Sequence, residues 1–194
     1  GRLTMMAAIA PLRHVCGLPR TLLARAPKLS GAAGVGGTHA LAIGQARRLD
    51  DIVKLELLEK ETPAAIKKIW EMYHAEAAQS WGRTLPSDEH QLLRERLAES
   101  PMFIAPVRRD KGYFVLAMQY KESSMCFTFL EEFKKSPETA TPWIFATLYD
   151  DLIESKAMGL FRADFIPHLL SKDEAKGVLD GLLHIYTTDK YDRA

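Results

Sequence analysis

The first 49 residues of this chain contain no acidic residue. Seven arginines and lysines lie in the same segment, at positions 2, 13, 20, 25, 28, 47 and 48, and the first acid is Asp50. The rest of the chain carries 19 basic and 25 acidic residues, so the overall net charge of +1 conceals a basic leader in front of an acidic body. An arginine-bearing, acid-free leader is typical of an organelle transit peptide.

We therefore predict that residues 1–48 are a transit peptide and linker, and that residues 49–194 form one folded domain. The leader is expected to be disordered, with a flexible Gly/Ala-rich stretch at residues 31–37 and cleavage near Arg47 and Arg48. Composition does not separate a mitochondrial leader from a plastid one. A basic tail that binds RNA or acidic lipid is the alternative interpretation.

Cysteine and long apolar runs are also scarce. Cys16 lies in the leader and Cys126 in the body, so cleavage would leave one thiol and exclude an intrachain disulfide. No stretch approaches the ~20 consecutive apolar residues that a membrane-spanning helix needs. We predict no membrane span.

The body begins with helical patterns and then changes period. Ile66, Ile69, Trp70, Tyr73 and Ala77 recur at spacings of three and four, which predicts an amphipathic helix. Apolar and β-branched runs separated by turn-like clusters predict five strands, at residues 102–107, 113–120, 125–133, 143–149 and 158–163. A capping box at residues 171–174 predicts a closing helix. The expected fold is α+β, an antiparallel sheet of about five strands covered by N-terminal and C-terminal helices.

Catalytic and cofactor signatures are missing from this pattern. There is no phosphate-binding G-x-x-x-x-G-K-[ST] motif, and the glycines at residues 31–37 lack the flanking strand and helix of a dinucleotide site. His74, His90, His168 and His184 stand far apart, so we interpret each as a surface or half-buried helix residue rather than a metal ligand. We predict no catalytic residue, no cofactor and no metal.

Two further features have a functional and a structural interpretation. Cys126 could act as a nucleophile with a distant histidine, but it lies in an apolar strand where a thiol usually serves as a small hydrophobe. Residues 108–111 form a basic turn near aromatic residues, which could contact nucleic acid or a protein partner. The net negative charge of the body disfavours nucleic acid, because contacts to phosphate dominate that affinity.

The body resembles the mitochondrial ATP synthase assembly factor 1 family, whose members chaperone the beta subunit of the catalytic head. The resemblance runs from about residue 49 to residue 186 and rests on the order and spacing of short segments. These segments lie at residues 49–56, 60–63, 66–70, 101–103, 108–113, 126–130, 148–152, 161–164, 169–175 and 185–186.

The resemblance implies a non-enzymatic chaperone of the mitochondrial matrix that binds the unassembled ATP synthase beta subunit until alpha subunits join. Separately, we expect the protein to be monomeric. The alternatives are a permanent structural subunit of a mitochondrial complex, or a small enzyme that uses Cys126. No family motif identifies the contact residues. Our own hypothesis places the partner-binding surface at Trp70 and Tyr73 of the amphipathic helix, or at a strand edge near Arg109 and Tyr113.

Overall fold

A computed structural model describes residues 46–193 of the chain. The predicted transit peptide up to residue 45, the glycine-rich stretch and Cys16 lie outside the described residues. The helices are α1 (Leu55–Leu58), α2 (Pro63–Glu76), α3 (Ser87–Glu99), α4 (Leu130–Lys135), α5 (Ile153–Lys156) and α6 (Lys172–Thr187), with 3-10 turns at Leu49–Asp51 and Tyr191–Arg193.

A six-stranded antiparallel sheet forms the centre of the fold. Its strands are β1 (Ser80–Pro86), β2 (Met102–Arg109), β3 (Gly112–Lys121), β4 (Ser124–Phe129), β5 (Pro142–Tyr149) and β6 (Met158–Phe165), in the spatial order β1-β6-β5-β4-β3-β2. The α+β class and the antiparallel sheet are confirmed, although the sheet has six strands where the sequence predicted about five.

The strand that sequence analysis missed is β1. It contains Gly82 and ends at Pro86, and both residue types weaken the sequence signal of a strand. Its only hydrogen-bonded neighbour in the described sheet is β6, with Ser80 opposite Asp164 and Pro86 opposite Met158. Such long-range pairing leaves little local signal, because strand preference depends on the neighbours that a strand acquires in the sheet.

One face of the sheet is covered by α3 and α6, which also pack against each other. Inward side chains of all six strands meet Leu93 and Leu97 of α3 and Leu179, Leu182 and Leu183 of α6 in the larger hydrophobic core. The capping box predicted at the start of α6 is present, with Ser171 and Glu174 bonding each other's backbone N–H groups. We call this the covered face.

The opposite face carries α2, which packs against β1. Thr62 caps this helix and Pro63 occupies its first position, as the sequence predicts for a helix start. Ile66 and Trp70 join Tyr149 and Leu160 in a second, smaller core. Because α2 reaches only one side of the sheet, this second face is incompletely covered.

A lysine joins the two helical layers at the end of α2. The Lys172 ammonium, at the start of α6, donates to the carbonyl oxygens of His74, Ala75 and Ala77 at distances of 2.7, 2.8 and 2.7 Å. These carbonyls belong to the last turn of α2 or follow it, where intrahelical donors run out. The contact fixes the position of α2 on the sheet.

Within residues 46–193, no helix is both long and apolar enough to cross a membrane.

Candidate partner-binding face

Strand alternation identifies the side chains of the incompletely covered face. Successive residues of a strand point to opposite sides of the sheet, and paired residues on neighbouring strands point to the same side. One row therefore crosses the sheet on the α2 side, and its members are Met102, Gln119, Cys126, Phe145, Asp164 and Ser80. Ile104 and Tyr113 lie on the same side, in β2 and β3. We call Met102, Ile104, Tyr113, Gln119, Cys126 and Phe145 the open face.

The open face is apolar where it is most exposed. Met102, Ile104 and Tyr113 have exposed fractions of 38%, 49% and 73%, while Cys126 and Phe145 are half-buried. Towards one end of the sheet α4 packs on β3 and β4, where Ala117 and Thr128 are buried. Clustered apolar exposure of this kind marks partner surfaces in soluble proteins more often than scattered single residues do.

Helix α2 adds a second apolar element on the same side of the sheet. Ile66, Trp70 and His74 form its buried stripe, and Ile69, Met72 and Tyr73 form a neighbouring exposed stripe, which we call the α2 stripe. Spacings of three and four residues place each set on one side of the helix. Six of the seven large apolar side chains that are exposed among the described residues thus belong to the open face or the α2 stripe.

The structure separates the two helix residues of our contact hypothesis. Trp70 is only 1% exposed, and its indole N–H donates to the Phe161 carbonyl oxygen at 3.2 Å. Tyr73 is 45% exposed and belongs to the α2 stripe. Trp70 therefore anchors the helix to β6, while Tyr73 offers its ring to solvent.

A buried ionic cluster joins α2 to the sheet beside the open face. The Arg162 guanidinium donates to both carboxylate oxygens of Asp164, at 2.6 and 3.1 Å, and its centre lies 5.9 Å from the Tyr73 ring centroid. Burial opposes the charge of Arg162, but its bonds to Asp164 outweigh this effect and raise its pKa. Arg162 also lies 3.3 Å from His74 Nε2. Polar groups thus border the apolar surface where α2 meets β6.

The tautomer of His74 follows from its neighbours. A guanidinium can only donate, so Nε2 must accept from Arg162 and the ring proton must lie on Nδ1. Nδ1 then donates to the Trp70 carbonyl oxygen at 2.8 Å. Burial lowers the pKa of His74 to about 4, against the opposing effect of the bond to Trp70, so the ring is neutral at physiological pH.

The other two residues of the contact hypothesis lie on opposite sides of the sheet. Arg109 turns to the covered face, where it donates to both carboxylate oxygens of Glu174 at 2.6 and 3.0 Å and to the Leu169 carbonyl oxygen. The bonds from Arg109 hold the pKa of Glu174 at about 2. Tyr113 lies on the open face. Arg109 therefore has a structural function in joining β2 to α6.

The outer edge of β2 does not favour addition of a partner strand. Asp110 and Lys111 form a two-residue turn between Arg109 and Gly112, so that pair is hydrogen-bonded across the hairpin. Because this pattern alternates along β2, the backbone N–H and C=O groups that point away from β3 are those at positions 102, 104, 106 and 108. Pro106 lacks an N–H there and interrupts the row of donors. Contact through side chains of the open face is therefore favoured over pairing of backbones.

Chemistry at this surface is limited. The register neighbours of Cys126 are Gln119 and Phe145, so no histidine or carboxylate adjoins it in its row on β3, β4 and β5. No group of three or more His, Cys, Asp or Glu side chains among residues 46–193 could hold a metal ion. The arrangement is suited to binding an apolar protein surface.

Two features of this region were not predicted correctly from the sequence: the exposed residues of β2 and the burial of two histidines. Met102 and Ile104 went unassigned because both faces of β2 are apolar, with Phe103, Ala105 and Val107 on the covered side. The prediction that His74 and His90 are surface or half-buried residues is wrong, since each is 2% exposed. His168 and His184 are exposed, as predicted.

Comparison with known proteins agrees with this description. Residues 38–193 match the family model described as ATP11 protein. Two curated relatives are each named ATP synthase mitochondrial F1 complex assembly factor 1: the human protein is 26% identical to this chain and the mouse protein 24% identical, both over 144 residues. The match covers 74% of this chain but 44% of each relative.

The family model spans all of the described structure, including both cores, the open face and the α2 stripe. This chain belongs to the ATP11 protein family.

Proposed function

We propose that this protein is a mitochondrial chaperone of ATP synthase assembly, and that its client is the unassembled beta subunit of the catalytic head. The family and the names of the two relatives support a function in assembly of the F1 complex. The acid-free leader supports import, with the matrix as the destination. The choice of the beta subunit follows from the family resemblance.

The observation that carries the proposal is the one-sided apolar surface. An unassembled subunit exposes the surface that its neighbours will later bury, and such surfaces are large and partly apolar. The open face and the α2 stripe offer a matching surface on one side of the sheet. A non-enzymatic function fits these groups, because burial of apolar area needs no reacting side chain.

Ile104 and Tyr73 suit the two sides of the contact, since Ile104 lies on the edge strand β2 and Tyr73 lies on α2, which packs against β1 at the other edge. Both are about half-exposed in the isolated chain, so each has apolar area left to bury. Burial of one large apolar side chain contributes about 1.5–3 kcal/mol, and tyrosine is enriched among the residues that dominate binding energy. The adjacent Arg162–Asp164 pair is already satisfied internally and adds little unpaired charge to the interface.

The test measures binding of the full chain to isolated ATP synthase beta subunit, together with suppression of beta-subunit aggregation by light scattering. We expect Ile104→Asp to weaken binding at least tenfold, because a carboxylate would be buried against an apolar partner. Ala98→Asp is the matched control, since it adds the same charge to an exposed position of α3 on the covered face.

Two results would count against the proposal. If the full chain neither binds the beta subunit nor slows its aggregation, the client is wrong. If the two aspartate variants weaken binding equally, the open face is not the contact. Stoichiometric presence in mature ATP synthase would instead indicate the alternative of a permanent structural subunit.

A further inference from the structure

On the side of the open face, strand β2 is left largely uncovered. Helix α2 packs against β1 at the other edge of the sheet, and α4 packs on β3 and β4, where Ala117 and Thr128 are buried. Met102 and Ile104 of β2 stay exposed. An apolar sheet face is normally covered by a layer of helices or by a second sheet. A further helix would complete this layer, whereas Pro106 disfavours extension of the sheet by another strand.

Two basic residues mark the ends of this uncovered strip. Arg108 of β2 lies opposite Tyr113 on the same side of the sheet, and Lys121 of β3 lies two residues beyond Gln119, again on that side. Both basic residues are exposed. At ~3.3 Å per residue, the positions of Tyr113 and Lys121 are about 26 Å apart along β3, and Ile104 lies between them in the register. The strip is therefore apolar in its centre and cationic at each end.

Neither of these basic residues is paired within the described part of the chain. The contrast is clearest between Arg108 and its neighbour Arg109, whose guanidinium turns to the covered face and donates to both carboxylate oxygens of Glu174. Arg108 and Lys121 form no ion pair and no side-chain hydrogen bond with another described residue. Their charges are thus available to a partner.

The other charges near the strip largely cancel one another. Arg162 and Asp164 are the remaining charged residues that the described strands place on this side, and they pair with each other. Helices α2 and α4 each carry two lysines and two glutamates. The turn at residues 110–111 has one charge of each sign, and Glu122 forms no ion pair with Lys121. The strip is therefore positive, although the body as a whole has more acidic than basic residues.

This positive strip distinguishes between the possible occupants. The leader of the chain has seven basic residues and no acid before Asp50, so the strip would repel it. A second copy placed face to face would bring the same cations together across the contact. A segment with carboxylates on either side of its apolar residues would instead pair with both cations. Charges at the rim of a contact orient the partner and accelerate its association.

We propose that the uncovered strip binds an amphipathic helix of the partner that has carboxylates near both ends of its apolar stripe. The stripe covers Met102, Ile104 and Tyr113. One carboxylate group pairs with Arg108 and the other pairs with Lys121. Since a helix rises ~1.5 Å per residue, the two groups are about 17 residues apart. The inference rests on the proposed function in taking this helix from the ATP synthase beta subunit, whereas the charge pattern does not depend on that client.

The first test measures binding of the full chain to isolated beta subunit at about 0.05 M and about 0.3 M salt. The double variant with Arg108→Glu and Lys121→Glu should bind about tenfold more weakly at the lower salt, mainly through slower association. It should also lose most of the salt dependence of the unaltered chain. Replacement of both residues by glutamine should give a smaller loss in the same direction.

The matched control is the double variant with Lys176→Glu and Lys190→Glu, which changes the net charge by the same amount. Lys176 is exposed in α6 on the covered face, and Lys190 is exposed just after this helix. Lys176 pairs with Asp180, and an exposed pair of this kind contributes about 0.5 kcal/mol or less. The control should keep its affinity for the beta subunit within about twofold.

The second test does not use the beta subunit. A synthetic amphipathic peptide of about 20 residues, with leucine along one side and two glutamates near each end, is compared with a twin that carries lysine in place of each glutamate. The full chain should bind the acidic peptide about tenfold more tightly than the basic one. The double variant at Arg108 and Lys121 should lose most of this preference.

Three outcomes would overturn the inference: beta-subunit binding that the double variant leaves unchanged, equal affinity for the two peptides, or a preference for the acidic peptide that the double variant retains. The first outcome, with Ile104→Asp still disruptive, would leave the chaperone function intact. If the beta subunit does not bind while the acidic peptide binds through Arg108 and Lys121, the client is wrong and the inference stands.

Discussion

Two helices meet opposite faces of the same sheet in the same manner, each placing a buried histidine over a glycine. His74 of α2 lies over Gly82 of β1, and His90 of α3 lies over Gly159 of β6. The two rings have the same burial and similar lowered pKa values. They differ in their hydrogen bonds, because both nitrogens of His74 are bonded whereas Nε2 of His90 is not.

The difference shows that burial alone does not define the function of a histidine. His74 is fixed between Trp70 and Arg162, and the adjoining lysine contact holds the end of its helix, so it belongs to the scaffold. His90 has no hydrogen bond at Nε2, which faces the Asp150 carboxylate at 3.3 Å. The first arrangement positions the α2 stripe, while the second holds α3 on the sheet mainly by packing.

Lowering the pH should destabilise the fold through His74 and His90 equally, and this loss of stability is the largest effect that we expect. Each histidine has a folded-state pKa of about 4, below its ordinary value of 6.5, so the stability it contributes is present above pH 6.5 and is lost as the pH falls towards 4. At pH 5 we expect a loss of about 2 kcal/mol for each ring and about 4 kcal/mol together. Urea denaturation at pH 7, 6 and 5 measures it.

The pH range of this experiment separates the two histidines from Glu174. The pKa of Glu174 is lowered to about 2, so the stability that this carboxylate contributes is lost mainly below pH 4.5, outside the interval from pH 7 to pH 5. His90→Leu should remove about half of the loss between pH 7 and pH 5. A stability that stays level over this interval would contradict the buried, neutral state of both rings.

Alanine substitution at Gly82 and Gly159 tests how firmly each histidine is held against the sheet. An added Cβ at Gly82 would lie 2.6 Å from His74 Nδ1 and 2.7 Å from Trp70 Nε1, and hydrogen bonds hold both rings in place. At Gly159 the clash is with His90, whose ring has no hydrogen bond at Nε2 to hold it in place. We expect Gly82→Ala to lower the free energy of unfolding by about 3 kcal/mol and Gly159→Ala by about 1–2 kcal/mol. Denaturation midpoints at constant m measure both.

The reverse order would show that His90 is held as firmly as His74.

Leucine substitution of the two histidines gives the smallest effect and the sharpest contrast. His74→Leu removes the bond from the ring to the Trp70 carbonyl and leaves one N–H of the buried Arg162 guanidinium without its acceptor, so we expect a loss of about 2 kcal/mol. His90→Leu removes an unpaired nitrogen at similar volume, and we expect a change within about 0.5 kcal/mol. Thermal or urea unfolding at pH 7 measures the stability loss of each variant, and equal losses would indicate an unrecognised partner of His90.

Local chemistry made several elements predictable. Thr62 with Pro63 and the capping box of Ser171 with Glu174 mark helix starts through bonds within a few residues, and the short turns of the meander mark hairpins. The strand predicted at residues 125–133 was partly wrong, because strand pairing ends at Phe129 and residues 130–135 form α4. A register shift between Phe127 and Thr128 precedes that change, and it is set by the partner strand β5.

By itself the sequence determined the basic leader, the α+β class and the family resemblance, since these depend on composition, period and short spacings. Only the tertiary structure decided which apolar residues remain exposed. β2 carries apolar side chains on both sides, and nothing within the strand distinguishes them. The packing of α6 buries Ala105 and Val107, half-buries Phe103, and leaves Met102 and Ile104 uncovered. Tertiary packing also buries the two histidines: His74 lies over Gly82 of the following strand β1, and His90 lies over Gly159 of the distant strand β6.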